Sequence, residues 1–259
     1  MTTNTQNNLI LKAIAVLESF ESGNPEAITA YVNPDKYIQH NESLQNGRDA
    51  MLASLNHIKE IGTKVSVKRA LVDGSYVALH SQYDFFGPKI IFDIFRFENG
   101  QIVEHWDNLQ EMVEKTPSNH TMIDGPTTIN DIEKTDENKA FVKSFVENIL
   151  MGKNLDLFSS YFDGDKYIQH SPHIPDGLSG LHAATKALEE KGVTFEYTQI
   201  HQIIGEGDFV LSMSEGLFND QPTAFYDLFR VENGKIVEHW DVVESMMPKE
   251  KQKNANGKF

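Results

Sequence analysis

The sequence predicts an α+β protein built from two tandem copies of one domain. Residues 93–107, DIFRFENGQIVEHWD, return as residues 227–241 with twelve of fifteen positions identical. The hexapeptide DKYIQH at 35–40 returns at 165–170. In each copy helical periodicity comes first and four strand-like segments follow, which is the order of helices packed on an antiparallel meander. Each copy has roughly 110 to 120 residues, enough for a domain with its own core.

The helices of the first copy follow from apolar spacing and end signals. Ile10, Ile14 and Leu17 share one face of a helix predicted over 9–20. Asn24 followed by Pro25 is typical of a helix start, so a short helix is predicted up to residue 32. A short extended segment at 37–40 and a third helix over 48–61 complete this half.

Four strands follow in the first copy, predicted at 64–71, 76–85, 90–97 and 101–109. The second copy predicts the same order. Asn99-Gly100 and Asn233-Gly234, each between alternating apolar residues, are strong hairpin signals. A sheet of this kind would curl around the helices and enclose a cavity.

The domain boundaries are predicted from changes in composition along the chain. The first domain is predicted at 1–114, and a linker rich in Thr, Asn, Pro, Gly and Asp at 115–134. The second domain is predicted at 135–248, starting with a helix at Thr135. The remaining residues, 249–259, are polar and rich in lysine, which predicts a disordered tail.

Charge and composition exclude several classes of partner. A net charge of −15 argues against nucleic acid and anionic membranes, because phosphate binding needs clustered Lys and Arg. The chain has no cysteine, so disulfides and thiolate chemistry are excluded. No secretory signal or membrane-length apolar run is recognisable. A cytoplasmic protein that binds neither nucleic acid nor membrane is therefore expected.

The hairpin at 93–107 carries the densest titratable groups. A two-residue Asn-Gly turn would point Asp93 and Asp107 to opposite faces of the sheet. A three-residue loop ending in a left-handed Gly100 would instead put Asp93 opposite His105, with Asp107 on the same face. We favour the three-residue loop, because a buried aspartate is more easily satisfied beside a histidine.

Strand alternation assigns the remaining hairpin residues to two faces. The pocket face is predicted to carry Val103, His105 and Asp107, and the outer face Ile102, Glu104 and Trp106. Arg96 is expected to pair with Glu104 on the outer face. An exposed apolar outer face normally marks an interface. The two copies are therefore expected to pair within the chain as a pseudo-dimer, and further homo-oligomerisation is compatible with this.

Three interpretations of the polar cluster stay open. A carboxylate in an apolar pocket has a raised pKa and can exchange protons near neutral pH. The same residues could be only a cross-strand polar pair that fixes register. A metal bound by His105, Asp107 and His80 is less favoured, because the second copy has Met213 where His80 aligns. No metal is therefore expected.

Five further residues are candidate substrate contacts. His40 and His170 end the short extended segments, at the predicted cavity mouth, although a loop histidine bonded to backbone is equally compatible. His80 lies on a neighbouring strand. Tyr37 and Tyr167 fit core positions with a satisfied hydroxyl as well as a binding role.

The motifs together resemble the SnoaL-like polyketide cyclases of the nuclear-transport-factor-two-like superfamily. The resemblance rests on Tyr-Ile-Gln-His, a glycine seven residues later, and the Glu-His-Trp-Asp hairpin, once per copy. It implies two cone-shaped, cystatin-like α+β barrels, each with one deep pocket, and chemistry without cofactor. It also implies acid–base roles for Asp107 and Asp241, and polar pocket positions at Asp93 and Asp227.

The expected function is therefore a lyase or isomerase that acts on a small apolar carbonyl compound by aldol- or cyclase-type chemistry. His105 and His239, with Asp93 and Asp227, would orient the catalytic carboxylates. The alternative is a small-molecule binding protein that uses the same pockets without chemistry. The two pockets are not expected to be equivalent, because only the first copy has His80 and only the second has the His-Ile-Pro-Asp loop at 173–176.

Overall fold

The computed structural model describes residues 2–259, with side chains from residue 4, and the chain divides into two compact units. Unit 1 comprises the residues up to Glu111 together with Met246–Phe259, and unit 2 is Met112–Ser245. The whole of the predicted linker, 115–134, therefore belongs to unit 2, and the last fourteen residues belong to unit 1. In the described residues no helix is both long and apolar enough to cross a membrane.

Unit 1 has the predicted element order. Its helices are α1 (Thr2–Ser22), α2 (Glu26–Tyr31) and α3 (Arg48–Glu60). Its strands are β1 (Ile38–Gln39), β2 (Lys64–Asp73), β3 (Tyr76–Asp84), β4 (Pro88–Glu98) and β5 (Gln101–Glu111).

Unit 2 repeats this order. Its helices are α4 (Thr135–Phe145), continued by a π-helical turn at Val146–Met151, then α5 (Phe158–Tyr161) and α6 (Gly177–Glu190). Its strands are β6 (Ile168–Gln169), β7 (Phe195–Glu206), β8 (Phe209–Phe218), β9 (Gln221–Glu232) and β10 (Lys235–Ser245).

Each unit contains one five-stranded sheet, ordered β1-β5-β4-β3-β2 in unit 1 and β6-β10-β9-β8-β7 in unit 2. The sheets are mixed rather than purely antiparallel, because the short strands β1 and β6 pair in parallel with the last strand of their unit. This pairing sets Gln39 beside His105 and Gln169 beside His239. The short extended segments thereby bring an amide next to each hairpin histidine.

The predicted hairpin turn is wrong in its detail. Asn99 (φ 50°) and Gly100 (φ 79°) are both left-handed, and Glu98 pairs with Gln101, so the turn has two residues. A bulge lies further along, because Phe97 pairs with Ile102 while Arg96 pairs with Glu104. Val103 is the extra residue. Asp93 consequently lies opposite Asp107, not opposite His105.

The bulge also corrects the predicted faces. Ile102 is fully buried in the core cluster with Val16 and Leu17 of α1, although alternation places it on the outer face. The extra residue reverses the alternation from Glu104 onward. Asp93 and Asp107 therefore share one face despite the two-residue turn. Unit 2 has the same bulge between Ile236 and Glu238.

The C-terminal segment Met246–Phe259 is ordered, contrary to the disorder predicted for 249–259. Its polar side chains are used in hydrogen bonds to the loop that follows β1. Gln252 donates to Glu42 at 2.7 Å, and Asn254 donates to the carbonyl oxygen of Asn41 at 2.8 Å. Asn256 donates to the carbonyl oxygen of Gln39 at 2.8 Å. Its polar composition therefore reflects specific contacts rather than solvation.

Candidate functional site

Two buried carboxylates face each other across the β4–β5 pair of unit 1. Asp93 is 3% exposed and Asp107 is 8% exposed, and their backbones are direct cross-strand partners. Side chains opposite each other on an antiparallel pair lie close together. Burial raises the pKa of Asp93, and the charge of Asp107 adds to that rise.

The hydrogen bonds around His105 fix where its protons lie. Gln39 Oε1 accepts the backbone N–H of Asn41 at 2.8 Å, so this atom is the carbonyl oxygen of the amide. His105 Nδ1 lies 3.2 Å from that oxygen and must carry a proton to bond it. His105 Nε2 lies 3.0 Å from Asp93 Oδ1. The second contact therefore shares one further proton, held either by the imidazole or by the carboxyl group.

A tyrosine completes the surroundings of Asp93. The Tyr83 hydroxyl donates to Asp93 Oδ2 at 3.0 Å. Burial raises the pKa of Asp93, and the hydrogen bonds from His105 and Tyr83 oppose that rise without cancelling it. A carboxyl group with a raised pKa can hold the shared proton. The geometry and the electrostatics thus agree on a proton that can move between Asp93 and His105.

The carboxylate of Asp107 has fewer hydrogen bonds than that of Asp93. Asn41 Nδ2 donates to its Oδ2 at 2.7 Å. Its Oδ1 is buried and has no hydrogen-bond partner in the described part of the chain. Lys258 Nζ lies 3.8 Å from Oδ1. Asp107 Oδ1 is therefore the oxygen of the cluster that is best placed to accept a proton.

Unit 2 reproduces this network. Asp227 and Asp241 are direct cross-strand partners. Gln169 Oε1 accepts the N–H of Ser171 and lies 3.0 Å from His239 Nδ1, while His239 Nε2 lies 3.0 Å from Asp227 Oδ1. Burial raises the pKa of Asp241, in spite of the opposing charge of His239. The second unit therefore also holds one shared proton beside a second carboxyl group.

The tyrosine that binds the first aspartate comes from a different strand in each unit. In unit 1 it is Tyr83 on β3, which pairs with Val65 on β2. In unit 2 the position of Tyr83 is taken by Gly216, and its partner on β7 is Tyr197. The Tyr197 hydroxyl lies 3.1 Å from Asp227 Oδ2. The hydroxyl donor thus comes from β3 in unit 1 and from β7 in unit 2, while the aspartate that it contacts occupies the same position in both units.

Neither Tyr83 nor Tyr197 is predicted as a site residue from the sequence. Tyr83 and Tyr197 do not align between the copies, so a search for repeated residues misses both. The available signal was a paired difference between the copies. Unit 1 has the cross-strand pair Val65 and Tyr83, and unit 2 has Tyr197 and Gly216 at the corresponding positions. A side chain at Gly216 would have its Cβ only 1.8 Å from the backbone oxygen of Glu196, which the glycine avoids.

The structure places His40 and His170 on the other face of the sheet. His40 Nε2 lies 3.0 Å from Glu104 Oε1, and its ring stacks on Trp106 at 4.7 Å. His170 lies 2.9 Å from Glu238 and stacks on Trp240 at 4.7 Å. These histidines are not brought to the carboxylate cluster.

The predicted outer-face ion pair joins the same network. Arg96 Nε donates to Glu104 Oε2 at 2.6 Å, as predicted, and Arg230 donates to Glu238 at 2.9 Å. Each glutamate thus bridges an arginine and a histidine. This network holds the hairpin to the loop after β1 or β6.

His80 also lies apart from the cluster. Its ring stacks on Phe92 at 4.3 Å, and its Nδ1 lies 3.3 Å from Arg69. It therefore cannot complete a metal site with His105 and Asp107. Tyr37 and Tyr167, in contrast, do lie near the carboxylates. Burial, and then the nearby carboxylate charges, raise the pKa of each hydroxyl well above its ordinary value.

A different trio could offer ligands to a metal ion. One atom from each of Asp93, His105 and Asp107 lies within 4.8 Å of the others. Both ring nitrogens of His105 already face hydrogen-bonding oxygens, from Gln39 and Asp93. An ion would have to replace one of these bonds, so the arrangement fits proton transfer better than metal binding.

A groove of about 460 Å³ lies elsewhere in unit 2, between the π-helical turn and β7. Lys143, Glu147 and His201 are among its lining residues. The carboxylate pair of unit 2 is not part of it.

Residues 13–105 match the SnoaL-like domain family. The matched residues lie within unit 1, which is therefore similar to a SnoaL-like domain. Unit 2 repeats the element order, strand order and hairpin bulge of unit 1. No curated protein sequence matches the chain.

Several solved structures overlay on one domain's length of the chain. A candidate polyketide cyclase from Bacillus cereus ATCC 10987 is 16% identical, with a TM-score of 0.36 over 40% of this chain and 74% of that one. An LEH-like epoxide hydrolase from M. tuberculosis is 16% identical, with a TM-score of 0.35 over 40% and 84%. An NTF2-like protein from Cytophaga hutchinsonii ATCC 33406 is 13% identical, with a TM-score of 0.33 over 38% and 87%.

Proposed function

We propose that each unit contains an acid–base site, and that the protein acts on a small, largely apolar carbonyl compound as a lyase or isomerase. The observation that carries the proposal is the cross-strand carboxylate pair with a histidine 3.0 Å from one of its two aspartates, present in both units. A purely structural polar pair needs one aspartate and one histidine. The second buried aspartate, which lacks a hydrogen bond at Oδ1 in unit 1, is explained by a proton that it must accept.

The proposed reaction begins at the second carboxylate. Asp107 in unit 1, and Asp241 in unit 2, would remove a proton from the carbon next to the carbonyl group. The electrons of the broken C–H bond move to the carbonyl oxygen and form an enolate. The proton shared by His105 and Asp93, or by His239 and Asp227, is available to neutralise that oxygen.

Two outcomes are open to the enolate. Return of the proton to a different carbon gives an isomerisation. Attack of the enolate carbon on a second carbonyl group forms a C–C bond and turns that carbonyl into an alkoxide, which takes up the proton held by Asp107 or Asp241. This is an aldol addition, the bond-forming step of an aldol condensation. Every proton in either route moves between the substrate and side chains of this protein.

The surroundings favour an apolar substrate. Phe95 stacks on His105 at 4.5 Å, and Phe229 stacks on His239 at 4.7 Å. Apolar rings lower the local dielectric constant and strengthen the interactions of developing charge.

The test is exchange of α-protons of small aryl and alkyl ketones in D2O, followed by ¹H NMR. We expect Asp107→Asn combined with Asp241→Asn to slow exchange by about 10²–10⁴-fold while ketone binding is retained. An exchange rate that the double substitution leaves unchanged would remove the catalytic proposal. Ketone binding without exchange in the unsubstituted protein would identify a binding protein that uses the same sites.

A further inference from the structure

The C-terminal segment, Met246–Phe259, forms one side of the site in unit 1. The His40 Nδ1 atom lies 2.9 Å from the carbonyl oxygen of Gly257, which anchors the end of the segment beside the hairpin. The next residue, Lys258, is only 4% exposed. Its Nζ lies 3.8 Å from Asp107 Oδ1, the buried oxygen that has no hydrogen-bond partner in the described residues.

The segment is held by a continuous series of contacts rather than by Lys258 alone. Glu42 accepts the backbone N–H of Met247 at 2.6 Å and the side-chain amide of Gln252 at 2.7 Å. Asn256 donates to Asn46 Oδ1 at 2.6 Å. These contacts lie on the loop that carries Asn41, the hydrogen-bond donor to Asp107. These contacts therefore hold the backbone of the segment in the position that places Lys258 beside Asp107.

Unit 2 has a different residue at the corresponding position. There His170 Nδ1 lies 2.8 Å from the carbonyl oxygen of Thr121, as His40 does from that of Gly257. The residue after Thr121 is Met122, which is 1% exposed and whose sulfur accepts the N–H of Val113. A thioether carries no charge. The ammonium group thus distinguishes the site of unit 1 from that of unit 2.

We propose that Lys258 is a substrate-contacting residue of unit 1, where its ammonium group binds the oxygen anion that forms when Asp107 removes a proton. This inference rests on the proposed acid–base function. A cation next to the base would select substrates whose enolate oxygen lies close to the carbon that loses the proton. Unit 1 would then bind planar oxyanions more tightly than unit 2.

The probe is 4-nitrophenolate, a planar apolar oxyanion whose absorbance reports its ionisation. We expect Lys258→Met to weaken 4-nitrophenolate binding by about tenfold, because one charged contact is lost. Lys258→Arg keeps the charge and should retain most of the affinity. Lys253→Met is the matched control, because Lys253 is exposed in the same segment, and it should bind like the unsubstituted protein.

Three binding results would overturn the proposal: no detectable 4-nitrophenolate binding, equal affinity in Lys258→Met, or tighter binding in Lys258→Met. The last would show that the segment blocks the site instead of completing it. Hydrogen exchange of residues 247–257 should stay unchanged in Lys258→Met. Loosening there would attribute a loss of affinity to the detached segment, which also overturns the direct role of Lys258. The probe needs no turnover, so this outcome is separate from that of the ketone exchange experiment.

Discussion

At the residue scale, Tyr83 and Tyr197 show that both units have a hydrogen bond from a tyrosine hydroxyl to the first aspartate of the pair. Tyr83 and Tyr197 occupy different strands, yet each hydroxyl donates to the aspartate that also contacts the histidine. A buried carboxyl group that loses a donor costs free energy, so any change at one position has to be matched at its cross-strand neighbour. The tyrosine hydroxyl is therefore part of the site in both units.

Tyr83→Phe should lower the free energy of unfolding by about 1 kcal/mol, because Asp93 loses one hydrogen bond in a buried site. The change should also raise the pKa of Asp93, which the Tyr83 hydroxyl lowers. Urea unfolding measures the first effect. Tyr76→Phe makes the same chemical change on the half-buried Tyr76 and should shift stability by less than about 0.5 kcal/mol. Equal effects of the two substitutions would contradict the role of Tyr83.

Asp241→Asn should make the protein more stable at neutral pH. Burial raises the pKa of Asp241 above its ordinary value of 3.8, so the folded state binds this proton more tightly than the unfolded chain. The carboxyl group therefore costs stability above its folded pKa, and the cost disappears as the pH falls towards 3.8.

The gain for Asp241→Asn should be on the order of 1 kcal/mol for each unit by which the pKa is raised, and should vanish in acid. Urea unfolding at several pH values measures it. Asp156→Asn, at an exposed position, should show no such pH dependence. A loss of stability that is constant with pH would contradict the raised pKa.

At the element scale, the hairpin shows what periodicity can and cannot predict. Asn-Gly correctly marks the turn, and alternation correctly puts His105 and Asp107 on one face. Alternation cannot reveal a bulge, because the extra residue Val103 looks like any other apolar strand residue. The predicted three-residue loop was wrong, yet Asp93 still joins the cluster because the bulge supplies the same one-residue shift.

Gly100→Ala should cost about 1–2 kcal/mol, since the residue has φ 79° and alanine is strained there. Gly100→Asn should cost clearly less, because asparagine tolerates left-handed backbone. Thermal or urea unfolding of the two variants tests the turn directly. Equal stability of the alanine variant and the unsubstituted protein would contradict the left-handed backbone of Gly100.

At the scale of the whole molecule, the repeat predicted the number of units and the order of their elements but not their boundaries. The segment after β5 belongs to unit 2, and the segment after β10 belongs to unit 1. These segments lack apolar periodicity, so their sequence gives no signal of where they pack. The contacts that order Met246–Phe259 are hydrogen bonds of backbone and amide groups. From composition alone, a segment with so many polar residues is predicted to be exposed to solvent.

Glu42→Ala should release the C-terminal segment. Glu42 is 7% exposed and accepts hydrogen bonds from Met247 and Gln252, so its removal leaves two donors unsatisfied at a cost of about 1–3 kcal/mol. Hydrogen exchange of residues 247–257 should accelerate, whereas that of β7–β10 should not. Glu60→Ala, at an exposed position, should change neither region. Unchanged exchange in Glu42→Ala would contradict the docking of the segment.

The proposed function requires that a buried carboxyl group in each unit can hold a transferable proton. The most direct test is a pH titration of the aspartate carboxyl carbons by ¹³C NMR, with assignments from Asp93→Asn and Asp241→Asn. We expect Asp93 and Asp241 to titrate above the ordinary value of 3.8. Titration of both groups at or below that value would contradict the account.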